Sequence, residues 1–335
     1  MKAVAITANH PIDHPDALLD LELPAPLPTA TDLLVQVAAV SVNPVDTKVR
    51  RNLPIPTSGQ RVLGWDAVGT VVACGAQVSS FQPGDRVWYA GELKRQGSNA
   101  ELQCVDYRLA AKAPASWSDA DAAAVPLTAL TAWELAFDRL AIQPDEQGSA
   151  VVIIGAAGGV GSMLVQLLRA RTGLTVIGTA SRPQSQQWLQ ALGAHHVVDH
   201  HGDWVAQVRA LGIASVPRVI SLNHTDQHLD AIVEILAPFG QLALIDDPQQ
   251  FQIGKLKRKS LSLHWEYMFT RALFGTADLA AQGQTLAEVA RLAEAGQLRS
   301  TRTHHGGRIN AASLRAIHAD LEAGKHHGKC VLEGF

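Results

Sequence analysis

A glycine-rich turn lies between an apolar run and a long amphipathic segment of this chain, and it restricts the folds that the chain can adopt. The stretch VVIIGAAGGVGSMLVQLLRA covers residues 151–170 and is rich in glycine at its centre. Glycine there lets the backbone approach a pyrophosphate, whose charge is then met by amides at the start of a helix. The alternative is that these glycines only meet the steric needs of a tight turn between a strand and a helix. The match to G-x-G-x-x-G is also imperfect because of Ala156. The context favours nucleotide binding, for which the predicted residues are Gly155, Gly158, Gly159, Val160 and Gly161.

Short apolar runs and amphipathic segments alternate on both sides of this turn. The runs that predict strands are Val151–Ile154, Leu174–Thr179, His196–Val198, Arg218–Leu222, Gln241–Ile245 and Ser260–His264. Helical periodicity begins between them near residues 160, 184, 204 and 227. Such alternation specifies a parallel sheet covered by helices on both faces. Residues 126–269 are therefore predicted to form an α/β, doubly wound domain of the Rossmann type.

The rest of the chain has a different pattern. Over the first hundred residues, short β-rich runs alternate with proline and glycine, which predicts a compact β-rich domain. Further predicted elements are helices over Leu127–Leu140, Gln284–Ala295 and Ala311–Ala323 and a closing strand over Lys329–Leu332. A chain of 335 residues exceeds one typical core, so two domains are expected. We predict that residues 1–125 and 270–335 together form the second one.

The end of the second Rossmann strand bears on cofactor choice. An NAD site normally places an acidic residue there to bind the ribose hydroxyls. This chain instead continues as Ala180-Ser181-Arg182, which offers a hydroxyl and a guanidinium suited to a 2′-phosphate. The alternative is that Arg182 is only a solvated residue at a helix start. The sequence thus favours NADPH.

Charge and cysteine usage limit the possible partners. The formal net charge is −3 and the basic residues are scattered, which argues against nucleic acid as a main partner. We expect no membrane span, since no stretch of about 20 apolar residues is present. The N-terminal residues do not resemble a secretory signal, and Cys74, Cys104 and Cys330 form no C-x-x-C pair. A cytoplasmic protein is expected.

Several segments together resemble the quinone oxidoreductase branch of the medium-chain dehydrogenase/reductase superfamily, whose members are often labelled zinc-type alcohol dehydrogenase-like. These segments are SVNPVDTKVR (41–50), VLGWDAVGTV (62–71), QPGDRVWYAG (82–91), AAVPLTALTAWE (123–134), GAAGGVGS (155–162) and ALGAHHVVDH (191–200). The resemblance spans nearly the whole chain. It implies a GroES-like catalytic domain built from both chain ends, an inserted Rossmann domain, NADPH as cofactor and a homodimer.

The resemblance also assigns roles to single residues. It implies that Asn43 faces the nicotinamide and that Thr131 contacts the cofactor. Lys48 stands where relatives often carry a tyrosine, and it either donates a hydrogen bond near the reaction or is an exposed structural residue. His200 stands where several relatives place a tyrosine near the adenosine phosphate. Further cofactor candidates at predicted strand ends are Leu222, Asn223 and Ile245.

A catalytic zinc needs three protein ligands and an open position. By motif alignment, the family's zinc-ligand positions become Asn43, the pair Trp65-Asp66 and the neighbourhood of Leu127. The cysteines of a structural zinc lobe are also missing from residues 91–101. Histidine pairs occur elsewhere, but none has a helical His-x-x-x-His spacing with a nearby carboxylate. We therefore predict no metal.

Without a metal to polarise an alcohol, hydride delivery needs an electrophile that is already activated. Quinones and α,β-unsaturated carbonyls fit, since charge develops on a conjugated oxygen that one or two donors can stabilise. Asn43 and Lys48 are the candidate catalytic donors. The alternatives are a dehydrogenase of simple alcohols or aldehydes and a nonenzymatic NADPH-binding protein similar to lens crystallins.

Overall fold

The structure is a computed structural model that describes residues 1–335. The chain divides into two compact units. The first consists of Met1–Leu127, Phe269–Gly296 and Ser300–Phe335, and the second of Thr128–Met268 and Gln297–Arg299. None of the helices combines the length and the apolar character that crossing a membrane requires.

Strands and helices are numbered in chain order. The strands are β1 (Lys2–Ile6), β2 (Leu19–Glu22), β3 (Asp32–Ser41), β4 (Arg61–Val62), β5 (Ala67–Cys74), β6 (Arg86–Tyr89), β7 (Leu102–Asp106), β8 (Ala110–Lys112), β9 (Gln147–Ile154), β10 (Gly173–Thr179), β11 (His196–Val198), β12 (Val216–Ser221), β13 (Leu236–Leu244), β14 (Ser262–Trp265), β15 (Arg302–His305) and β16 (Lys329–Glu333). The helices are α1 (Pro44–Asn52), α2 (Asp119–Ala123), α3 (Pro126–Trp133), α4 (Gly159–Arg171), α5 (Pro183–Ala191), α6 (Trp204–Ala210), α7 (Thr225–Ile235), α8 (Thr270–Phe274), α9 (Ala281–Glu294) and α10 (Ala311–Glu322).

The first unit is built on two β-sheets. The larger has the strand order β15-β16-β3-β5-β6-β8, with β7 also paired to β3, and the smaller has the order β2-β1-β4. β16 runs antiparallel to β3, with Leu332 opposite Val40. Both of these side chains are fully buried. A strand from the end of the chain therefore completes a sheet that begins near its start.

The second unit holds six strands in the order β11-β10-β9-β12-β13-β14, and every neighbouring pair is parallel. Helices α4 to α7 connect successive strands. Val152, Ile177, Val219 and Leu242 from the four central strands are fully buried, because helices cover such a sheet on both faces. The strand order reverses between β9 and β12, where ligands bind in doubly wound folds. The predicted fold class is confirmed.

Two predicted elements differ from the structure. The single helix expected over Leu127–Leu140 is divided into α3 and a π-helical turn over Glu134–Arg139. This wider turn still keeps apolar residues on one side, so periodicity alone does not reveal it. The strand expected from Ser260 begins at Ser262, because Ser260 has a left-handed φ of 51° after a 3₁₀-helix over Ile253–Lys259.

Candidate functional site

The glycine-rich turn joins the carboxyl end of β9 to α4 in the second unit. Gly155 has a φ of 74°, in the left-handed region that glycine enters at no steric cost. A Cβ on Gly161 would lie 2.3 Å from the carbonyl oxygen of Ala156, so α4 approaches the turn too closely for any other residue. A Cβ on Gly155 would lie 2.4 Å from Oδ1 of Asn223. The left-handed φ at Gly155 and the close backbone approach at Gly161 thus require glycine, and Asn223 lies against the turn.

Gly158 has a different environment. It is the N-cap of α4 and is exposed, and the nearest atom to an added Cβ would be the carbonyl oxygen of Gly155 at 3.6 Å. No side chain caps the first amides of α4, a helix of 13 residues. Such amides, together with the helix dipole, attract an anion. The open space at Gly158 and the uncapped start of α4 fit the pyrophosphate of a dinucleotide.

The end of β10 contacts the same turn. Oγ1 of Thr179 accepts a hydrogen bond from the Gly155 amide at 3.2 Å. The chain then passes beside β11, where the Ala180 amide donates to the Val198 carbonyl at 3.0 Å. Ser181 is half-buried, and Arg182 is an exposed N-cap of α5. The absence of an acidic residue between Thr179 and Pro183 leaves a hydroxyl and a guanidinium at this strand end.

His200 lies at the neighbouring strand end, two residues after β11. Since β10 and β11 are parallel, with Thr179 opposite Val198, their carboxyl ends share one edge of the sheet. The Nδ1 atom of His200 is buried without a hydrogen-bond partner. Burial, and secondarily the neighbouring His201, lower the pKa of His200. The structure thus brings His200 to the same edge as Ser181 and Arg182.

The remaining predicted cofactor residues also belong to the second unit. The Leu222 amide donates to the Ile154 carbonyl at 3.1 Å, which sets the end of β12 beside the glycine turn. Ile245 directly follows β13, the next strand in the sheet. Thr131 is 5 % exposed on α3. Leu222 and Asn223 therefore adjoin the glycine turn, whereas Thr131 lies on a separate helix.

A buried polar network forms around Asp66 in the first unit. Its Oδ1 accepts from the Leu127 amide at 2.7 Å, and its Oδ2 accepts from Nδ2 of Asn43 at 2.8 Å and from Nζ of Lys329 at 3.0 Å. The Lys329 ammonium also donates to the Val42 carbonyl at 2.9 Å and to Oδ1 of Asn43. Asp66 and Lys329 are 0 % and 4 % exposed at their side chains. All three N–H bonds of the ammonium thus have acceptors.

Electrostatics in this network follow from burial. Burial raises the pKa of Asp66, while the Lys329 ammonium and the Leu127 and Asn43 donors act in the opposite direction. Because both carboxyl oxygens of Asp66 only accept hydrogen bonds, the geometry is that of a carboxylate paired with an ammonium. Asp46, whose Oδ2 accepts from the Asn43 amide at 2.7 Å, has its pKa raised to about 7, mainly by burial. The network therefore holds one ion pair beside a carboxyl group that titrates near neutral pH.

The two predicted catalytic residues differ in exposure. Asn43 is 1 % exposed and precedes α1 as its N-cap, in a reciprocal arrangement with Asp46. Its Nδ2 donates to Asp66 and makes only a long contact of 3.4 Å with the Ser41 carbonyl. Lys48 lies further along α1 and is exposed. One helix start therefore carries both residues.

Lys329 is the residue of this region that sequence reasoning missed. It was included only as the first residue of a closing strand, and it is 263 positions from Asp66 in sequence. A lysine at the start of the apolar run KCVL is compatible with an ordinary strand end. The available signal was an aspartate inside the apolar stretch VLGWDAVGTV, since a buried carboxylate requires a cation or several donors.

The positions that align with zinc ligands do not suit a metal. Asn43 and Asp66 bond to the Lys329 ammonium, a group that donates hydrogen bonds and repels a cation. Trp65 is fully buried, packs edge-on to Phe269 at 6.3 Å and donates from its indole to the Glu92 carbonyl. Residues 1–335 contain no group of three or more His, Cys, Asp or Glu side chains that could hold a metal ion.

Comparison with known proteins identifies both units. Residues 29–115 match the family model of the alcohol dehydrogenase GroES-like domain, and residues 159–281 match that of the zinc-binding dehydrogenases. A zinc-type alcohol dehydrogenase-like protein of Staphylococcus aureus (strain MSSA476) is 39 % identical over 311 residues, which cover 92 % of this chain and 92 % of that protein.

Solved structures show the same fold over the whole chain. A Rhizobium etli protein described as a zinc-dependent alcohol dehydrogenase is 50 % identical, with a TM-score of 0.97 and coverage of 100 % of this chain and 98 % of that one. A mycobacterial protein complexed with NADPH is 28 % identical, with a TM-score of 0.84 and 99 % coverage of both chains. A Pseudomonas syringae quinone oxidoreductase is 26 % identical, with the same TM-score and coverage.

Proposed function

Because this chain belongs to the medium-chain dehydrogenase/reductase superfamily, among its zinc-type alcohol dehydrogenase-like proteins, we propose that it is an NADPH-dependent, zinc-independent reductase of quinones or α,β-unsaturated carbonyls. The observation that carries this proposal is the network around Asp66. Its ammonium and amide groups use both oxygens of the carboxylate, so the residues there cannot polarise an alcohol through a metal. A substrate that is already electrophilic needs no such metal.

The second unit supports the choice of cofactor. The amides of Gly158, Gly159, Val160 and Gly161 would hold the pyrophosphate, and Ser181, Arg182 and His200 would hold the 2′-phosphate. Thr131, Gly155, Leu222, Asn223 and Ile245 are the further proposed cofactor contacts. The bound nicotinamide would supply the hydride. The similarity to a mycobacterial protein complexed with NADPH supports this assignment.

In the first unit, Asn43 and Lys48 are the proposed donors to the substrate oxygen on which charge develops. Lys48 is exposed on α1, where its ammonium could donate to a substrate oxygen. Asn43 could offer the N–H that makes only the 3.4 Å contact with Ser41. Solvent or a ribose hydroxyl would provide the proton.

The proposal includes the organisation of the protein. We assign the GroES-like catalytic domain to residues 1–125 with 270–335 and the NADPH-binding domain to residues 126–269. A homodimer is supported by the edge strand β14, whose outer side pairs with no strand of the chain. A cytoplasmic location is supported by three free cysteines, Cys74, Cys104 and Cys330.

The test is a substrate screen monitored by the absorbance of NADPH, with NADH in parallel. We expect oxidation of NADPH by 1,4-quinones or short enones, a clear preference over NADH, and no effect of a chelator. Loss of activity on chelation, with return after added zinc, would overturn the proposal and indicate an alcohol or aldehyde dehydrogenase. Cofactor binding without turnover on any carbonyl substrate would indicate a nonenzymatic NADPH-binding protein.

A further inference from the structure

Lys329 fixes the orientation of the Asn43 side chain. The ammonium donates to Oδ1 of Asn43, and Nδ2 of the same amide donates to Asp66 at 2.8 Å. A flipped amide would point its NH₂ group at the ammonium and its carbonyl oxygen at the carboxylate, and both contacts would be repulsive. The ion pair between Lys329 and Asp66 therefore allows only one amide orientation.

The same ion pair fixes the start of α1. Lys329 donates to the Val42 carbonyl at 2.9 Å, one residue before the N-cap. Asp46 in the first turn accepts from the Asn43 amide at 2.7 Å, so the backbone on both sides of Asn43 is held. α1 then carries Lys48 within the same nine residues. Both proposed donors thus depend on a helix start that Lys329 anchors.

We propose that Lys329 is a positioning residue of the reductase, which holds Asn43 and the first turn of α1 in the geometry that the reaction needs. This inference rests on the proposed function. Lys329 itself does not contact the substrate, because its ammonium already bonds to three acceptors in the interior. Lys329 acts on the reaction through the orientation of Asn43 and the position of α1.

The test must separate positioning from mere stability. Removing one partner of a buried ion pair leaves an unpaired charge, so Lys329→Met alone is expected to lower stability strongly. The double variant Lys329→Met/Asp66→Asn removes both charges and is expected to recover most of that stability. It still lacks the donor that orients Asn43. Thermal unfolding, kcat, KM and the Kd for NADPH are measured for the wild type, both single variants and the double variant.

We expect kcat of the double variant to fall at least tenfold while the Kd for NADPH changes less than twofold, since the phosphate-binding residues belong to the second unit. The matched control is Lys259→Met, which removes an ammonium that donates to the carbonyls of Val233, Glu234 and Leu236 in the second unit. This control should lose stability and keep its kcat.

Recovery of kcat together with stability in the double variant would overturn the positioning role alone and leave the proposed function intact. If the double variant does not fold, side-chain amide NMR provides the second measurement, in the conservative variant Lys329→Arg, which keeps a cation beside Asp66 but replaces the ammonium that donates to Asn43. We expect the Asn43 amide protons to exchange slowly in the wild type and at least tenfold faster in this variant. Equal exchange in both would overturn the inference. Absence of turnover in the wild type would overturn the proposed function and the positioning role with it.

Discussion

At the scale of single residues, His318 on α10 has the most unusual surroundings. Its side chain is 0 % exposed, and neither ring nitrogen has a hydrogen-bond partner in the protein. The neighbouring Arg50 is also fully buried and pairs with Glu322 at 2.5 Å. Burial, and then the charge of Arg50, lower the pKa of His318 from 6.5 to about 3. The folded protein therefore keeps this imidazole neutral.

This neutral imidazole predicts a loss of stability in acid. Below pH 6.5 the unfolded chain takes up a proton that folded His318 rejects until about pH 3, so stability is lost as the pH falls through this range. The slope from this group can reach about 1.4 kcal/mol per pH unit. We expect His318→Leu to be at least as stable as the wild type at pH 7 and to have a shallower slope down to pH 5. Urea unfolding between pH 7 and pH 5 measures the free energy of unfolding of both proteins and therefore its slope with pH.

The control is His304→Leu, because His304 is exposed. This variant should keep the wild-type slope. Identical slopes for the wild type and His318→Leu would contradict the prediction.

Single residues also show what sequence reasoning could reach. Gly161 was predicted because its requirement is local: the contact it makes is with Ala156, five positions earlier. Asn43 was predicted because the segment that contains it, SVNPVDTKVR, resembles a known family. The role of Lys329 could not be predicted, because its partners are distant in sequence. Val42, Asn43 and Asp66 lie near Lys329 only when β16 pairs with β3.

At the scale of elements, two glycines in the turn between β9 and α4 have different roles, which substitution by alanine can distinguish. In Gly161→Ala the new methyl group would overlap the backbone of Ala156 at 2.3 Å, and overpacking of this kind costs about 1–3 kcal/mol. In Gly158→Ala the methyl group would have its nearest neighbour at 3.6 Å, an ordinary contact. We expect only Gly161→Ala to lower the unfolding temperature.

The binding of NADPH should respond differently. Gly158→Ala places a methyl group in the open space before the first amides of α4, and we expect the Kd for NADPH to rise at least about tenfold, equivalent to roughly 1.4 kcal/mol. Fluorescence titration measures this. Gly254→Ala serves as a control for binding because its added methyl group would contact nothing within 4 Å and Gly254 does not have a left-handed φ. Unchanged affinity in Gly158→Ala would refute the assignment of this turn to the pyrophosphate.

The elements themselves were largely predictable where the pattern is local. Alternation of apolar strands with amphipathic helices indicated the six-stranded sheet, because burial on both faces leaves uninterrupted apolar runs such as Val151–Ile154. The π-helical turn after Trp133 and the left-handed Ser260 were not predictable, because neither changes the spacing of apolar residues.

At the scale of the whole molecule, β14 predicts how two copies associate. It pairs with β13 on one side only, and Trp265 at its end is 52 % exposed. An edge strand offers unpaired backbone groups to a second copy, and lysines on such an edge prevent pairing. We expect a dimer in sedimentation, and a monomer for the variant Ser262→Lys/His264→Lys.

The opposite edge of the sheet provides the control. His196→Lys places a lysine on β11, which is also an edge strand, and this variant should remain dimeric. A wild-type monomer, or a dimer that both sets of substitutions leave intact, would contradict the assignment of β14 as the interface.

Pairing of β16 with β3 has a consequence for the order in which the protein matures on the ribosome. Most of the second unit is one continuous segment, Thr128–Met268, and can fold as soon as it emerges. Asn43 and Asp66 are synthesised early, but Asp66 can pair with its cation only after Lys329, 263 residues later in the sequence, has been added. In a nascent chain that lacks β16, burial of Asp66 would leave its carboxylate without the ammonium of Lys329. The burial of Asp66 as part of an ion pair therefore depends on the synthesis of β16.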